Sequence, residues 1–380
     1  MRAAAAVADA PSVPLSVTVV RDGEAFGALA EEWAALHARC ATATPFQSHA
    51  WLSSWWLSYG VPGALRVVLV RRGGTLVAAA PLMRAPGVLP VLTPLGGAIS
   101  DFTDVLLDDG CPEAAAALAG ALADAARTSL IELREVRPGA SVERVCAHWR
   151  GPRRWLADSR CMELPGLPMD ELLARLPSST AQRLRAKLRK VDAAGLEGRA
   201  VAVSEVEAAL GRLLELHRTQ WERRGVNVEH TRARFAEHLT RAVQSMVAAG
   251  EARVTEFRLD GEVVAVDLSL LSPRLSGGYL YGADPGLRAR KVDVSALLLR
   301  NGVRETSASG RATLSMLRGT EPYKNHWRPE TVVNRRLLLS RRRLGPVLLL
   351  RAAGAGARRW AADRLRDRAW VRRLRRGGGG

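Results

Sequence analysis

Lysine is almost missing from this 380-residue chain: Lys187, Lys190, Lys291 and Lys324 stand against 52 arginines. The formal net charge of +18 is therefore an arginine charge, and +13 of it lies from Arg335 onward, where only Asp363 and Asp367 oppose fifteen arginines. The remaining residues carry only +5, and nowhere do aromatics interleave with basic residues along strands, so no nucleic-acid surface is expected. Cys40, Cys111, Cys146 and Cys161 show no C-x-x-C spacing and no accompanying histidines, which argues against zinc and a disulfide framework and for reduced thiols. No metal is expected. No apolar run reaches the roughly 18 to 20 residues of a spanning helix, and the opening "MRAAAAVADAPSVP" is too weakly apolar for a signal peptide. The expectation is a cytoplasmic protein. G-x-S-x-G, G-x-x-x-x-G-K-[ST] and H-E-x-x-H are all absent, which removes common hydrolase, nucleotide-triphosphatase and zinc-protease readings.

What is present is ordinary globular material, 47% hydrophobic and 25% charged, enough for two domains or one duplicated one. "LRVVLVRRGGTLVAAAPLM" (Leu65 to Met83) and "ARVTEFRLDGEVVAVDLSLL" (Ala252 to Leu271) both read as strand, tight glycine turn, strand, with Gly74 and Gly261 at equivalent places. Two helix-like segments precede each hairpin: Gly23 to Cys40 and Ser48 to Tyr59, then Glu205 to Arg224 and Arg232 to Ala249. A further strand, a helix (Pro112 to Thr128; Asp293 to Ser307) and another strand (Leu130 to Val136; Ala312 to Leu317) follow each. The same order of elements thus occurs twice, which predicts a duplicated architecture.

In "EVEAALGRLLELHRTQWERRG" the apolar stripe runs through Val206, Leu210, Leu213, Leu214 and Trp221, and His217 lies on or beside it. Between the halves, a helix with its cap expected at Ser178 to Thr180 carries Arg183, Arg185, Lys187, Arg189 and Lys190. It reads either as a solvated basic face or as a recogniser of phosphate or carboxylate oxygens. In the tail, Trp360, Leu365, Trp370 and Leu374 mark an apolar face among arginines, fitting a helix on an anionic membrane surface as well as a solvated basic tail.

"LRAKLRK" followed by a glycine, "LHRTQWERRG", "FRLDGEVVA", "GGYLYGADP" and "LRGTEPYKNHW" occur in that order. Together they resemble the Gcn5-related N-acetyltransferase (GNAT) fold of the cellulose-biosynthesis-type acetyltransferases, relatives of the Fem-type peptidyl transferases with tandem GNAT-like domains. "SDFTD" (Ser100 to Asp104) resembles an aspartate-aromatic element of that family's first half, so the resemblance spans about residues 15 to 340. It implies an α/β (α+β) fold of two tandem GNAT-like mixed sheets flanked by helices, plus a basic C-terminal helical tail. The expected domains are a disordered N-terminus (1–14), an N-terminal GNAT-like domain (15–163), a C-terminal acyltransferase domain (164–340) and the tail (341–380).

The resemblance also implies a site. The fourth and fifth strands of a GNAT domain splay, and acyl-CoA enters the wedge with its pyrophosphate on the next helix's N-terminus. Tyr281, Arg288, Arg290, Lys291 and Ser295 are then the residues expected to bind acetyl-CoA or another acyl-CoA, although the loop lacks the usual glycine-rich pattern. Ser315 stands where the family usually has an aspartate, leaving Glu321 and His217 as candidate general bases, with Tyr323 and Lys324 completing the catalytic set. Asp101, Asp104, Arg183, Trp221, Arg224 and Arg318 are the candidate substrate-binding residues. The expected reaction is CoA-dependent N-acylation of an amino sugar or other small amine, in envelope-polysaccharide or specialised metabolism. A Fem-like aminoacyl transferase and a non-catalytic accessory protein of a membrane polysaccharide synthase are the alternatives.

Overall fold

A computed structural model describes residues 13–87, 89–221 and 227–377. The first half runs β1 (Leu15–Val20), α1 (Gly23–Gly27), α2 (Ala30–Arg39), α3 (His49–Tyr59), β2 (Leu65–Arg72), β3 (Thr75–Ala85), β4 (Val91–Pro94), β5 (Leu106–Leu107), α4 (Ala114–Ala125), β6 (Leu130–Val136), α5 (Ser141–Ala147) and β7 (Arg153–Pro165). The second runs α6 (Met169–Ala174), α7 (Ser178–Ala193), β8 (Glu197–Ala200), α8 (Val206–Trp221), α9 (Ala233–Ala248), β9 (Ala252–Leu259), β10 (Glu262–Leu271), β11 (Leu275–Ala283), α10 (Val294–Ala308), β12 (Thr313–Arg318), β13 (Glu330–Leu339) and α11 (Gly345–Gly377). Each predicted element of the repeat is found, most within two residues of its expected ends. Both hairpins turn on two residues of positive φ, Gly73 (53°) with Gly74 (87°) and Asp260 (54°) with Gly261 (84°), as a twist-matched two-residue turn requires.

The halves do not form two sheets. All strands join one 13-stranded sheet, ordered β1-β2-β3-β4-β6-β13-β7-β12-β11-β10-β9-β8, with β5 added on β3. At its centre the halves exchange their last strands. β13 runs antiparallel to β6 on one side and to β7 on the other, while β7 pairs along β12. The boundary expected after residue 163 falls inside β7 (Arg153–Pro165), a strand whose two ladder partners, β12 and β13, both belong to the second half. β4 with β6 and β11 with β12 are the parallel pairs, one at the equivalent place in each half.

One face of the sheet carries a core common to both halves, in which Trp33, Phe46 and Trp51 meet Phe235, Leu239 and Met246. Here α3 and α9 cross, Ser54 Oγ donates to the His238 carbonyl at 2.9 Å, and Tyr279 OH donates to the Ile99 carbonyl at 2.9 Å. The opposite face holds two separate cores, one under α4 and α5 and one formed by α6, α7 and α10. α7 starts directly at Ser178 behind Pro177 and has no side-chain cap, so the cap expected at Ser178 to Thr180 is absent. The tail's first turns dock on the first half: Leu348 is fully buried and Arg351 pairs with Glu132 at 2.8 Å. The face predicted from Trp360 onward cannot be followed, since the Leu365, Trp370 and Leu374 side chains lie outside the described residues. No helix of the described residues is long and apolar enough to cross a membrane.

Because the exchanged strand is shared, its loss should be felt everywhere. Leu338 on β13 is fully buried with Val91, Leu130 and Leu348. Leu338→Ala is expected to lower stability by about 2–5 kcal/mol, in urea denaturation followed by tryptophan fluorescence. A single transition for the whole chain is expected, and two separate ones would contradict a common core.

Candidate active site

β11 and β12 pair only at Leu275↔Thr313, Ser276↔Leu314 and Gly277↔Ser315, and then part. Between them opens a cavity of about 100 Å³. Leu280 and Tyr281 of β11, Leu298, Leu299 and Gly302 of α10, and Leu314, Ser315 and Met316 of β12 form its walls, with Tyr323 and Trp327 from the following loop. Asp267 and Ser269 of β10 complete the lining.

Each wall is held from outside the cavity. β12 is fixed along its far edge by β7, from Thr313↔Pro165 to Arg318↔Cys161. Toward the upper end of β11, α8 takes the place of the departed strand: His217 donates Nδ1–H to the Tyr281 carbonyl at 2.8 Å, and Ala283 N–H donates to Gln220 Oε1 at 3.2 Å. Gly282 permits this approach, since a Cβ there would stand 2.3 Å from the Leu213 carbonyl oxygen. His217 Nε2 is then the ring's acceptor, and His230 Nδ1–H donates to it at 3.3 Å. Burial lowers the pKa of both histidines, His230 to about 4, so the pair is neutral near pH 7. Both ring nitrogens of His217 are thus engaged, Nδ1 by the β11 backbone and Nε2 by His230.

Lys324 has a similar holding role. It is 4% exposed, and its Nζ donates to the carbonyls of Met316 (2.8 Å) and Arg318 (3.1 Å) and pairs with Glu321 at 2.8 Å. The ammonium thus gathers the carbonyls at the end of β12, and Glu321, two residues before the cavity-lining Tyr323, is its half-exposed counter-ion. Tyr323 lines the cavity although 41% of the residue is exposed, and partial desolvation with the nearby Glu321 holds its phenol above the ordinary value, so it stays protonated as a hydrogen-bond donor.

The other expected residues divide. Tyr281 and Ser295 line the cavity. Arg290 pairs with Asp260 at 2.9 Å, and Arg288 and Lys291 stand exposed on the loop. The N-terminus of α10, expected to take the pyrophosphate, already holds Asp293, whose Oδ1 accepts from Ala296 N–H at 3.1 Å while Oδ2 pairs with Lys187 at 2.7 Å. Arg318 points across to the first half: it pairs with Asp101, reaches Glu135 at 3.5 Å and donates to the Ala98 carbonyl at 2.7 Å. Asp101 and Arg318 are therefore a clasp between halves and not a free fork for substrate. Asp104 is remote from the cavity. Its carboxylate accepts from Ser141 N–H (2.7 Å) and Val142 N–H (2.9 Å) and caps α5. Arg183 is exposed on α7, within 3.4 Å of Thr180 Oγ1. The Trp221 side chain and Arg224 lie outside the described residues. Asp267, buried in the cavity floor, was passed over in the sequence, where it reads as one polar position in a strand.

Residues 178–325 match the family model of the acetyltransferase (GNAT) domain. The match runs from α7 to the loop after β12 and so contains both walls of the wedge. Across nearly the whole chain, the fold is similar to the crystal structure of FemX (TM-score 0.62, 12% identity, 88% of this chain and 99% of that one). It is also similar to the C-terminal domain of a putative lysylphosphatidylglycerol synthetase from Agrobacterium fabrum (0.52, 12%, 86% and 96%) and to L-PGS from Bacillus licheniformis (0.51, 12%, 87% and 96%). No curated protein matches the sequence.

Two outcomes test the holding roles. Lys324→Met leaves the gathered carbonyls without their donor and is expected to cost about 1–3 kcal/mol, the penalty of unsatisfied buried acceptors, measured by chemical denaturation. His230 binds protons below its unfolded-state pKa less readily than the unfolded chain does, so its contribution falls as pH drops from about 6.5 toward 4. His230→Asn should flatten this part of the stability–pH curve, and an unchanged slope would contradict the buried neutral pair.

Proposed function

We propose that the protein is an acyltransferase that delivers an acyl group from an activated donor, bound in the β11–β12 wedge, to an amine. The observation that carries this reading is the parting of the two strands after three paired positions, with the exposed strand edge facing a small, largely apolar cavity. A donor arm can lie there as an added strand while its acyl end is kept from water. The amine loses a proton to Glu321 and attacks the acyl carbon; the new C–N bond forms, the C–S or C–O bond to the carrier breaks, and the leaving atom takes up the proton released. Tyr323 donates a hydrogen bond to the charge developing on the leaving atom.

The first donor we propose is acetyl-CoA or a longer acyl-CoA, with an amino sugar or other small amine as acceptor, in the manner of the cellulose-biosynthesis-type acetyltransferases whose motif order the chain follows. A second reading, aminoacyl transfer, is favoured by one specific feature: Asp293 and Lys187 occupy the helix terminus where a CoA pyrophosphate would rest. The similarity in fold to FemX and to lysylphosphatidylglycerol synthetase domains supports it as well. For the basic tail we propose an anionic membrane surface as partner.

Calorimetric titration with acetyl-CoA and butyryl-CoA, alongside a charged tRNA, tests the donor. Filling the cavity by Leu299→Trp is expected to weaken donor binding at least about tenfold, or 1.4 kcal/mol, with little change in melting temperature. Glu321→Gln should lower kcat about 10²-fold with KM nearly unchanged, and an unaltered rate would remove the base assignment.

A further inference from the structure

Among the described residues Asp267 is the one acid lining the wedge cavity, and it is 5% exposed. It sits on the α10 side of the sheet, between Thr255 and Tyr281 in register, and its carboxylate accepts hydrogen bonds from the Asn301 side chain and from Ser269 Oγ at 3.4 Å. Among the described residues no basic side chain lies within ion-pair distance of it. Burial pushes its carboxyl up to about 7, and the nearby Glu305 adds to the shift. Glu305 takes its own compensation from Arg253 at 3.4 Å, from the nearby Arg304 and from Asn301 Nδ2 at 3.5 Å, so the arginines at this end of the cavity are directed at Glu305 and not at Asp267. Around this acidic floor the walls are Leu280, Leu298, Leu299, Leu314, Met316 and Trp327.

A buried acid without a counter-charge is costly in a cavity walled mainly by apolar side chains. A purely aliphatic acyl chain would seal Asp267 from water and give it nothing. A chain ending in a cationic donor would find both an apolar wall and an opposite charge, so the same group that attracts one ligand rejects its apolar isostere. Resting on the wedge as the donor cleft and on the second, aminoacyl reading of the donor, we propose that Asp267 selects an acyl group bearing an ammonium at its end over an apolar chain of the same length.

The test uses the β-alanyl thioester and its isostere, the butyryl thioester, each on coenzyme A and on N-acetylcysteamine, titrated into the full-length protein. The wild-type chain is expected to bind the β-alanyl compound at least about tenfold more tightly than the butyryl one, a 1.4 kcal/mol difference. Asp267→Asn, close in shape, should abolish that preference, and Ser269→Ala should leave it largely in place. Equal binding of the two thioesters by the wild type, or a preference that survives Asp267→Asn, overturns the selection while leaving the wedge as the donor cleft. Binding of none of the four compounds overturns the donor cleft and the selection with it.

Discussion

The hydrogen-bond ladder between β13 and β7 is the contact on which the rest of the molecule depends. Each of these strands closes one half of the chain and lies against the other half, β13 on β6 and β7 on β12. An exchange of this kind removes two edges from the middle of the sheet, where they would invite pairing with another chain. It also fixes the position of β12 from the first half. The wedge therefore has one wall belonging by backbone pairing to each half, and its width is set by the relative placement of two packed bodies instead of by a loop. The Arg318 contacts with Asp101, Glu135 and the Ala98 carbonyl and the Tyr279 bond to Ile99 fasten the same junction from the side-chain side.

What could be read from the sequence follows from range. The two hairpins, the helix pairs before them and the helix and strand after them depend on periodicity and on turn residues such as Gly74 and Gly261, which act over a few residues. The exchange of β7 and β13 was invisible because it is decided by strands almost 200 positions apart, and neither carries a local sign of its partner. The site divided in the same way. That "RGTEPYKNHW" closes one end of the wedge followed from its place after a strand. That Lys324 spends its charge on backbone carbonyls, and Arg318 on Asp101, did not, because an arginine and a lysine in a loop look alike whether they bind a ligand or hold the chain. Asp267 was missed for the complementary reason: in a half-buried strand one acid normally marks the solvent face, and only the packing of α10 over that face turns it into a buried charge.

The arginine excess tells less about ligands than its size suggests. Glu256, fully buried, is surrounded by Arg199, Arg212 and Arg258, while Glu132 is met by Arg336 and Arg351. The guanidinium forks serve here as internal fasteners for isolated acids, each matching a carboxylate in a planar, multiply bonded geometry. Charge that is spent in this way contributes little to a surface field.

Against that background an acid left without an arginine is informative. The chain carries 52 arginines, and they meet buried acids at Glu132, Glu163 and Glu256, yet none of those among the described residues pairs with Asp267. A cation placed there would fill the cavity and pull the carboxyl down from about 7, its value under burial and the influence of Glu305. Leaving the acid without such a fastener costs desolvation free energy, and on the proposed reading a cation at the end of an acyl chain is what would recover that cost on binding, where an apolar wall alone would not discriminate.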